Sequence, residues 1–166
     1  MWPSINEWLS ALYIIIPTYC TNGAPVLFGG GGPIDAGKCL SDGQRILGDH
    51  KTVRGFLGGL GVGVIVGAFE SVFVSQTLLL VAVLASLGAL CGDLAGAFVK
   101  RRLKIKPGGS LPVLDQLDFV VGALLFVLPT MDLSLPTALI VVLVTPPIHI
   151  LANAGAYWLG LKSTYW

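Results

Sequence analysis

Five apolar stretches, each close to the roughly 20 residues that cross a bilayer, order this sequence. They run over about 5–28, 55–74, 76–99, 117–131 and 135–161, the fourth being short at its apolar core. Of 166 residues, 54% are apolar and only 11% charged, where a soluble domain carries roughly 25% charged residues. So little polar surface cannot cover a water-soluble globule of this size. A soluble enzyme, a secreted disulfide scaffold and a disordered chain are therefore excluded. The pattern predicts an all-α integral membrane protein, a bundle of five transmembrane helices forming one domain over 1–166. Trp2 and Trp8 flank the first stretch, and Tyr157, Trp158, Tyr165 and Trp166 the last, as interfacial anchors. No basic segment precedes the first stretch, so it is expected to stay as a helix and not to leave as a signal peptide. Cys20, Cys39 and Cys91 are odd in number and widely spaced. They suggest neither a disulfide framework nor a zinc site, and read as small buried thiols.

The position of the charges sets the orientation. Four basic residues (Lys38, Arg45, Lys51, Arg54) fall between the first and second stretches, and five (Lys100, Arg101, Arg102, Lys104, Lys106) between the third and fourth. Lys162 follows the fifth. With five crossings all these segments face one side. The positive-inside pattern puts the N-terminus outside, the C-terminus in the cytoplasm, and two functional loops, about 29–54 and 100–116, on the cytoplasmic face of a multi-pass cell-membrane protein. Nothing in the pattern points to a nucleic-acid partner. Gly55, Gly59, Gly63 and Gly67 repeat every four residues in the second stretch, and Gly88, Gly92 and Gly96 in the third. Such ladders let backbones approach closely in lipid, within one copy or between copies, so the oligomeric state stays open.

The polar residues gather on the cytoplasmic side: Asn22, Asp35, Asp42, Asp49, His50, Asp93, Asp115 and Asp118. Asp93, inside a glycine-rich helix, is costly at that depth unless paired, solvated or metal-bound. On a helix it shares a face with Ala97 and Lys100. Asp115 and Asp118 start the fourth stretch. If that turn is helical they share a face and repel unless a cation lies between them, and hard oxygen donors favour magnesium. Acids at a helix N-terminus also serve as caps, worth about 0.3–1 kcal/mol each. The basic run 100–106 fits a topology signal, an anionic-lipid contact or a substrate-phosphate site. The first loop interleaves acid and base (Asp42, Arg45, Asp49, His50, Lys51, Arg54), which suits a site handling both metal and phosphate.

Three features invite over-reading. Gly32-Pro33-Ile34-Asp35-Ala36-Gly37-Lys38-Cys39 nearly matches a phosphate-binding P-loop, but it follows an apolar span and carries Cys where the pattern needs a hydroxyl. What survives is a glycine-rich loop whose N–H groups approach a phosphate. His149 and Asn153 lie beyond a Pro146-Pro147 kink and either line a cavity or satisfy freed carbonyls. Glu70 reads as interfacial or paired and receives no role.

The longer motifs carry a resemblance. Lys100-Arg101, Lys106-Pro107-Gly108 and Asp115-Gln116-Leu117-Asp118 resemble the signature of the membrane cytidylyltransferases that make CDP-diacylglycerol. Asn22-Gly23-Ala24-Pro25, Ile46-Leu47-Gly48-Asp49-His50-Lys51-Thr52-Val53-Arg54-Gly55, Gly92-Asp93-Leu94 and Pro112-Val113-Leu114-Asp115-Gln116-Leu117-Asp118 are closer to its small archaeal branch, the CDP-archaeol synthases. Gln116 replaces an Arg of the broader signature, and Pro107 an Asp. The resemblance implies transfer of a cytidylyl group from CTP to 2,3-bis-O-(geranylgeranyl)-sn-glycerol 1-phosphate, an isoprenoid ether lipid phosphate, with Mg2+ as cofactor. It implies Asp93, Asp115 and Asp118 at the metal, with Lys100 as a further catalytic group. Asn22, Asp42, Asp49, His50, Lys51, Arg54 and Arg101 become substrate- or phosphate-binding candidates. Two rival classes differ in pattern. A CDP-alcohol phosphotransferase carries an Asp-x-x-x-Asp spacing that this chain lacks, and an ion-coupled transporter tends to show paired repeats and a midplane site.

Overall fold

Ser4 opens the first helix with a capping box. Its hydroxyl accepts from the Glu7 N–H at 3.4 Å, and the Glu7 carboxylate accepts from the Ser4 N–H at 2.5 Å. In the computed structural model, which describes residues 3–106 and 109–161, six helices follow in order: α1 (Ile5–Gly23), α2 (Pro25–Phe28), α3 (Val53–Phe73), α4 (Thr77–Arg102), α5 (Pro112–Val127) and α6 (Leu135–Trp158). Among the described residues there is no strand, only two isolated bridges in the long loop, Pro33–Thr52 and Cys39–Arg45. Trp2, Pro107, Lys162, Tyr165 and Trp166 lie outside the described residues.

The helix boundaries follow local chemistry. The first apolar stretch breaks at Ala24, because Pro25 has no N–H to continue the ladder and starts the short α2 instead. α4 runs on through Lys100, Arg101 and Arg102, where cations complement the helix C-terminus. α5 starts at Pro112, so Asp115 and Asp118 both sit on its first two turns, and Asp115 accepts from the Leu111 N–H at 3.0 Å. Four segments are long and apolar enough to cross a membrane: 5–28, α3, α4 and α6. α5 has 16 residues and spans about 24 Å at 1.5 Å per residue, short of a roughly 30 Å hydrocarbon core.

One expectation needs correction and one is narrowed. Cys39 and Cys91 are exposed and Cys20 is half-buried, so these are free thiols outside the core. Cys39 lies in the loop, and Cys91 is on an outward face of α4, where an apolar thiol suits lipid. Glu70, read as interfacial or paired, makes no ion pair among the described residues. It is half-buried on α3, with both carboxylate oxygens shielded and no hydrogen-bond partner among the described residues.

Both glycine ladders pack inside the bundle. All four ladder glycines of α3 are buried. A Cβ at Gly63 would strike the Thr21 and Ser86 hydroxyls, which bond to each other at 2.9 Å, and one at Gly67 would strike Ala82. α3 thus lies directly on α1 and α4, while its opposite face exposes Leu57, Ile65 and Phe69. The α4 ladder faces α5: a Cβ at Gly88 would meet the Gly122 carbonyl, at Gly92 the Asp118 carbonyl, and at Gly96 the Asp118 carboxylate. Below this contact the core closes around Ile14, Ala85, Ala89, Phe119, Val120 and Val141.

The loop 29–52 folds around Asp35. Its fully buried carboxylate accepts the N–H groups of Gly37, Leu47 and Gly48 at 3.1, 2.9 and 3.0 Å, and the Arg45 guanidinium at 2.5 Å. Gly37 and Gly48 sit at φ 81° and 102°, a region that costs residues with a Cβ. Within the P-loop-like stretch 32–39, the Gly37 N–H is turned onto Asp35, and those of Ile34, Ala36 and Lys38 bond to the carbonyls of Lys51, Pro33 and Asp35. Arg45 is the main cause holding the Asp35 carboxyl well below the usual carboxylate range, with the backbone N–H groups adding to it against the effect of burial.

Gly92→Ala should lower thermal stability in detergent by about 1–3 kcal/mol, because α5 backbone must move. Gly61→Ala, whose Cβ would meet nothing, should leave the unfolding temperature unchanged or slightly raised. Asp35→Asn should cost about 3–5 kcal/mol at neutral pH by stranding a buried ion-pair partner. Since the folded pKa is depressed, the Asp35 contribution is complete above the ordinary carboxylate range and lost only as pH falls through the depressed value. Unfolding followed from pH 5 to 9 should show no Asp35-dependent slope.

Candidate active site

Thr52 caps α3 by accepting the Gly55 N–H at 3.1 Å. That cap ends the loop one residue after Lys51 and aims its side chain at α4. Lys51 Nζ lies 2.6 Å from both oxygens of Asp93. A second pair forms two turns further along α4, where Lys100 Nζ is 2.7 Å from Asp115 Oδ1. Asp93 and Lys100, expected to point into one cavity, thus take partners on different elements. All four side chains are half-buried.

Asp118 sits between these pairs. Gly96 leaves room for its carboxylate against α4, and its Oδ1 accepts from the Phe119 N–H at 2.6 Å. It is within electrostatic reach of Asp93, Asp115 and Lys51. Three carboxylates and two ammonium groups therefore gather where α4, α5 and the end of the loop meet. A cleft opens there between the loop end, α3 and α4, lined by Pro25, His50, Lys51, Gly55 and Asp93.

The other predicted residues take distinct places. His50 is exposed at the mouth of this cleft. Arg54 is exposed on the first turn of α3. Asn22 is half-buried on the last turn of α1, just before the break at Pro25. Asp42 and Asp49 are held by arginines of the polar end: Asp42 by Arg102 at 2.9 Å and Asp49 by Arg45 at 2.5 Å. Arg101 is buried, with its guanidinium beside Gly48 and donating to the Lys106 carbonyl at 3.1 Å. Sequence reasoning gave Arg102 no role of its own. It is the clamp of the loop, donating to the Gln44 and Arg45 carbonyls at 3.3 and 2.5 Å and lying 5.1 Å from the Phe98 ring centroid. Only its place on the last turn of α4, facing a loop of exposed carbonyls, could have indicated this.

The donor set fits a divalent cation of the hard class. Magnesium is commonly bound by one or two carboxylates, with waters and substrate phosphate oxygens filling its octahedron. A closed protein cage is not required, and among the described residues no three His, Cys, Asp or Glu side chains form one.

Comparison with known proteins shows the family. The family model described as CarS-like CDP-archaeol synthase matches residues 4–166. The chain is 46% identical to the CDP-archaeol synthase of Thermococcus gammatolerans, covering 98% of this chain and 99% of that one. It is 45% identical to that of Pyrococcus furiosus, covering 95% and 98%. Its fold is similar to a solved structure described as an intramembrane enzyme for archaeal membrane lipid biosynthesis, with a TM-score of 0.83, 38% identity, and coverage of 87% of this chain and 93% of that one. The matched residues include the whole cluster of carboxylates and lysines, and the chain belongs to the CDP-archaeol synthase family.

Proposed function

We propose that this chain transfers the cytidylyl group of CTP to 2,3-bis-O-(geranylgeranyl)-sn-glycerol 1-phosphate, giving the CDP-activated ether lipid and pyrophosphate. The observation that carries this reading is the pair of lysine–carboxylate bridges, Lys51–Asp93 and Lys100–Asp115, set on either side of Asp118. The bundle crosses the cell membrane five times, α5 completing the set, with its N-terminus outside. The cluster then faces the cytoplasm, where CTP is available, as the grouping of basic residues supports.

The chemistry follows from the charges. A lipid phosphate oxygen attacks the α-phosphorus of CTP in line, the new P–O bond forms, and the bond to the β-phosphate oxygen breaks as pyrophosphate leaves. The attacking oxygen is already anionic, so no strong general base is needed. Lys51 and Lys100 are held in place by carboxylates and can turn to phosphate oxygens without a large change in position. Lys51 and exposed Arg54, beside His50 at the cleft mouth, suit the triphosphate, Arg54 offering a bidentate fork. Asn22 lies within the same end of the bundle and is assigned to the nucleotide. Arg101, Asp42 and Asp49 support the loop that carries Lys51. Magnesium, when bound by Asp93, Asp115 and Asp118, supplies neutralisation of the charge growing on pyrophosphate.

Pyrophosphate release by purified protein in detergent, with CTP and this lipid phosphate, tests the reading. Turnover should require magnesium, stop with EDTA, and fall on the order of 10²-fold or more in Asp118→Asn, with the variant still folded by its unfolding temperature. Turnover that survives Asp118→Asn would overturn the metal assignment. Folded wild-type protein that turns over neither this lipid nor a diacyl phosphatidate would overturn the reaction.

A further inference from the structure

A second cleft opens beside Asp115, between the first turn of α5 and the later half of α6. Ser110, Asp115, Gln116, His149 and Asn153 give it a polar lining. His149 lies just past Pro146-Pro147, two residues without the N–H groups that would bond back along α6. This stretch of α6 is held to α1 by the Tyr19 hydroxyl, which donates to the Thr145 carbonyl at 3.1 Å. The His149 ring packs on Phe119 with centroids 5.8 Å apart, and Phe119 is itself buried edge-on against Tyr19 at 5.3 Å. Phe119 directly follows Asp118. The imidazole is thus joined to the carboxylate cluster through one rigid aromatic. The Asn153 amide lies 3.3 Å from His149 Nδ1, so the two form one polar unit.

Around this lining the surface turns apolar. Val113 and Val121 on α5, and Ile150 and Leu151 on α6, are exposed. A polar recess rimmed by apolar helix faces matches an amphiphile, with the headgroup inside and the chains along the helices in lipid. A soluble nucleotide has no use for such a rim. The cleft with Lys51 and His50, by contrast, opens beside the long polar loop. Resting on the cytidylyltransfer reading, we infer that the α5–α6 cleft is the headgroup site of the lipid-borne phosphate. His149 and Asn153 donate hydrogen bonds to its phosphate or glycerol oxygens, and Lys100, paired with Asp115 in the cleft wall, is the neighbouring cation. His149 and Asn153 are positioning residues for the lipid substrate. They bring its phosphate up to Asp118 from the side opposite the loop.

Steady-state kinetics in mixed micelles, varying each substrate separately, test this. His149→Ala and Asn153→Leu should each raise KM for the lipid phosphate about tenfold, the equivalent of one lost hydrogen bond to a charged group. KM for CTP should stay within about twofold of wild type, and His149→Gln should recover part of the loss. Parallel rises in both KM values, or no rise in either, would overturn the assignment. A second measurement needs no turnover and no variant. An ether lipid phosphate with a photoactivatable diazirine near its glycerol should label the segment containing His149 and Asn153 in the wild-type protein. Labelling elsewhere would overturn the headgroup site even if CTP-dependent turnover is found. Labelling there without turnover would keep the site and overturn the reaction.

Discussion

The polar end of this bundle depends on one close approach, that of α4 and α5 across Gly88, Gly92 and Gly96. In lipid, helices gain little from hydrophobic association, so packing depends on how closely backbones can meet. With no Cβ in the way, α5 sets the Asp118 carbonyl over Gly92 and the Asp118 carboxylate over Gly96. That contact half-buries a carboxylate between two helices, where an unpaired charge is costly. It also brings Asp118 near Asp93 and Asp115, whose charges would repel without cations between them. Lys51 and Lys100 supply part of that compensation.

The long loop serves the same end. Its fold is internally determined: Asp35 gathers three N–H groups and Arg45, and Arg102 reaches from α4 to hold two loop carbonyls and Asp42. The loop therefore arrives at Thr52 in a defined position and delivers Lys51 to Asp93. Asp42 and Asp49, which resemble ligand-binding groups in sequence, are ion-paired here with Arg102 and Arg45. Lys51, Lys100 and the three aspartates gather at the junction of the loop with α3, α4 and α5, where the proposed function puts the substrates.

Much of this is legible in the sequence, for physical reasons. Apolar runs of bilayer length identify helices because lipid leaves the backbone no other way to satisfy its hydrogen bonds. The spacing of Asp115 and Asp118 makes sense on a helix, and α5 does begin early enough to include both. Other features are not legible. Pattern alone could not say that Asp93 pairs with Lys51 rather than with Lys100 on its own face, because that depends on where a loop returns in space. The stretch 32–39 resembles a phosphate cradle by composition, yet its Gly37 N–H is spent on Asp35 and those of Ile34, Ala36 and Lys38 on loop carbonyls. The length of α5 is the reverse case. The apolar run begins at residue 117, but the helix begins at Pro112, since a proline at N1 and an aspartate near the N-terminus set its start independently of hydropathy.

The proposed chemistry depends on Asp93 and Asp118 acting together, from two helices, on a divalent cation and its nucleotide. Manganese, which shares magnesium's preference for oxygen ligands, reports this directly by paramagnetic resonance. In detergent with CTP, the wild-type protein should bind the manganese–nucleotide complex and change its spectrum, and Asp93→Asn and Asp118→Asn should each abolish that change. The wild-type spectral change persisting in both variants would contradict this arrangement.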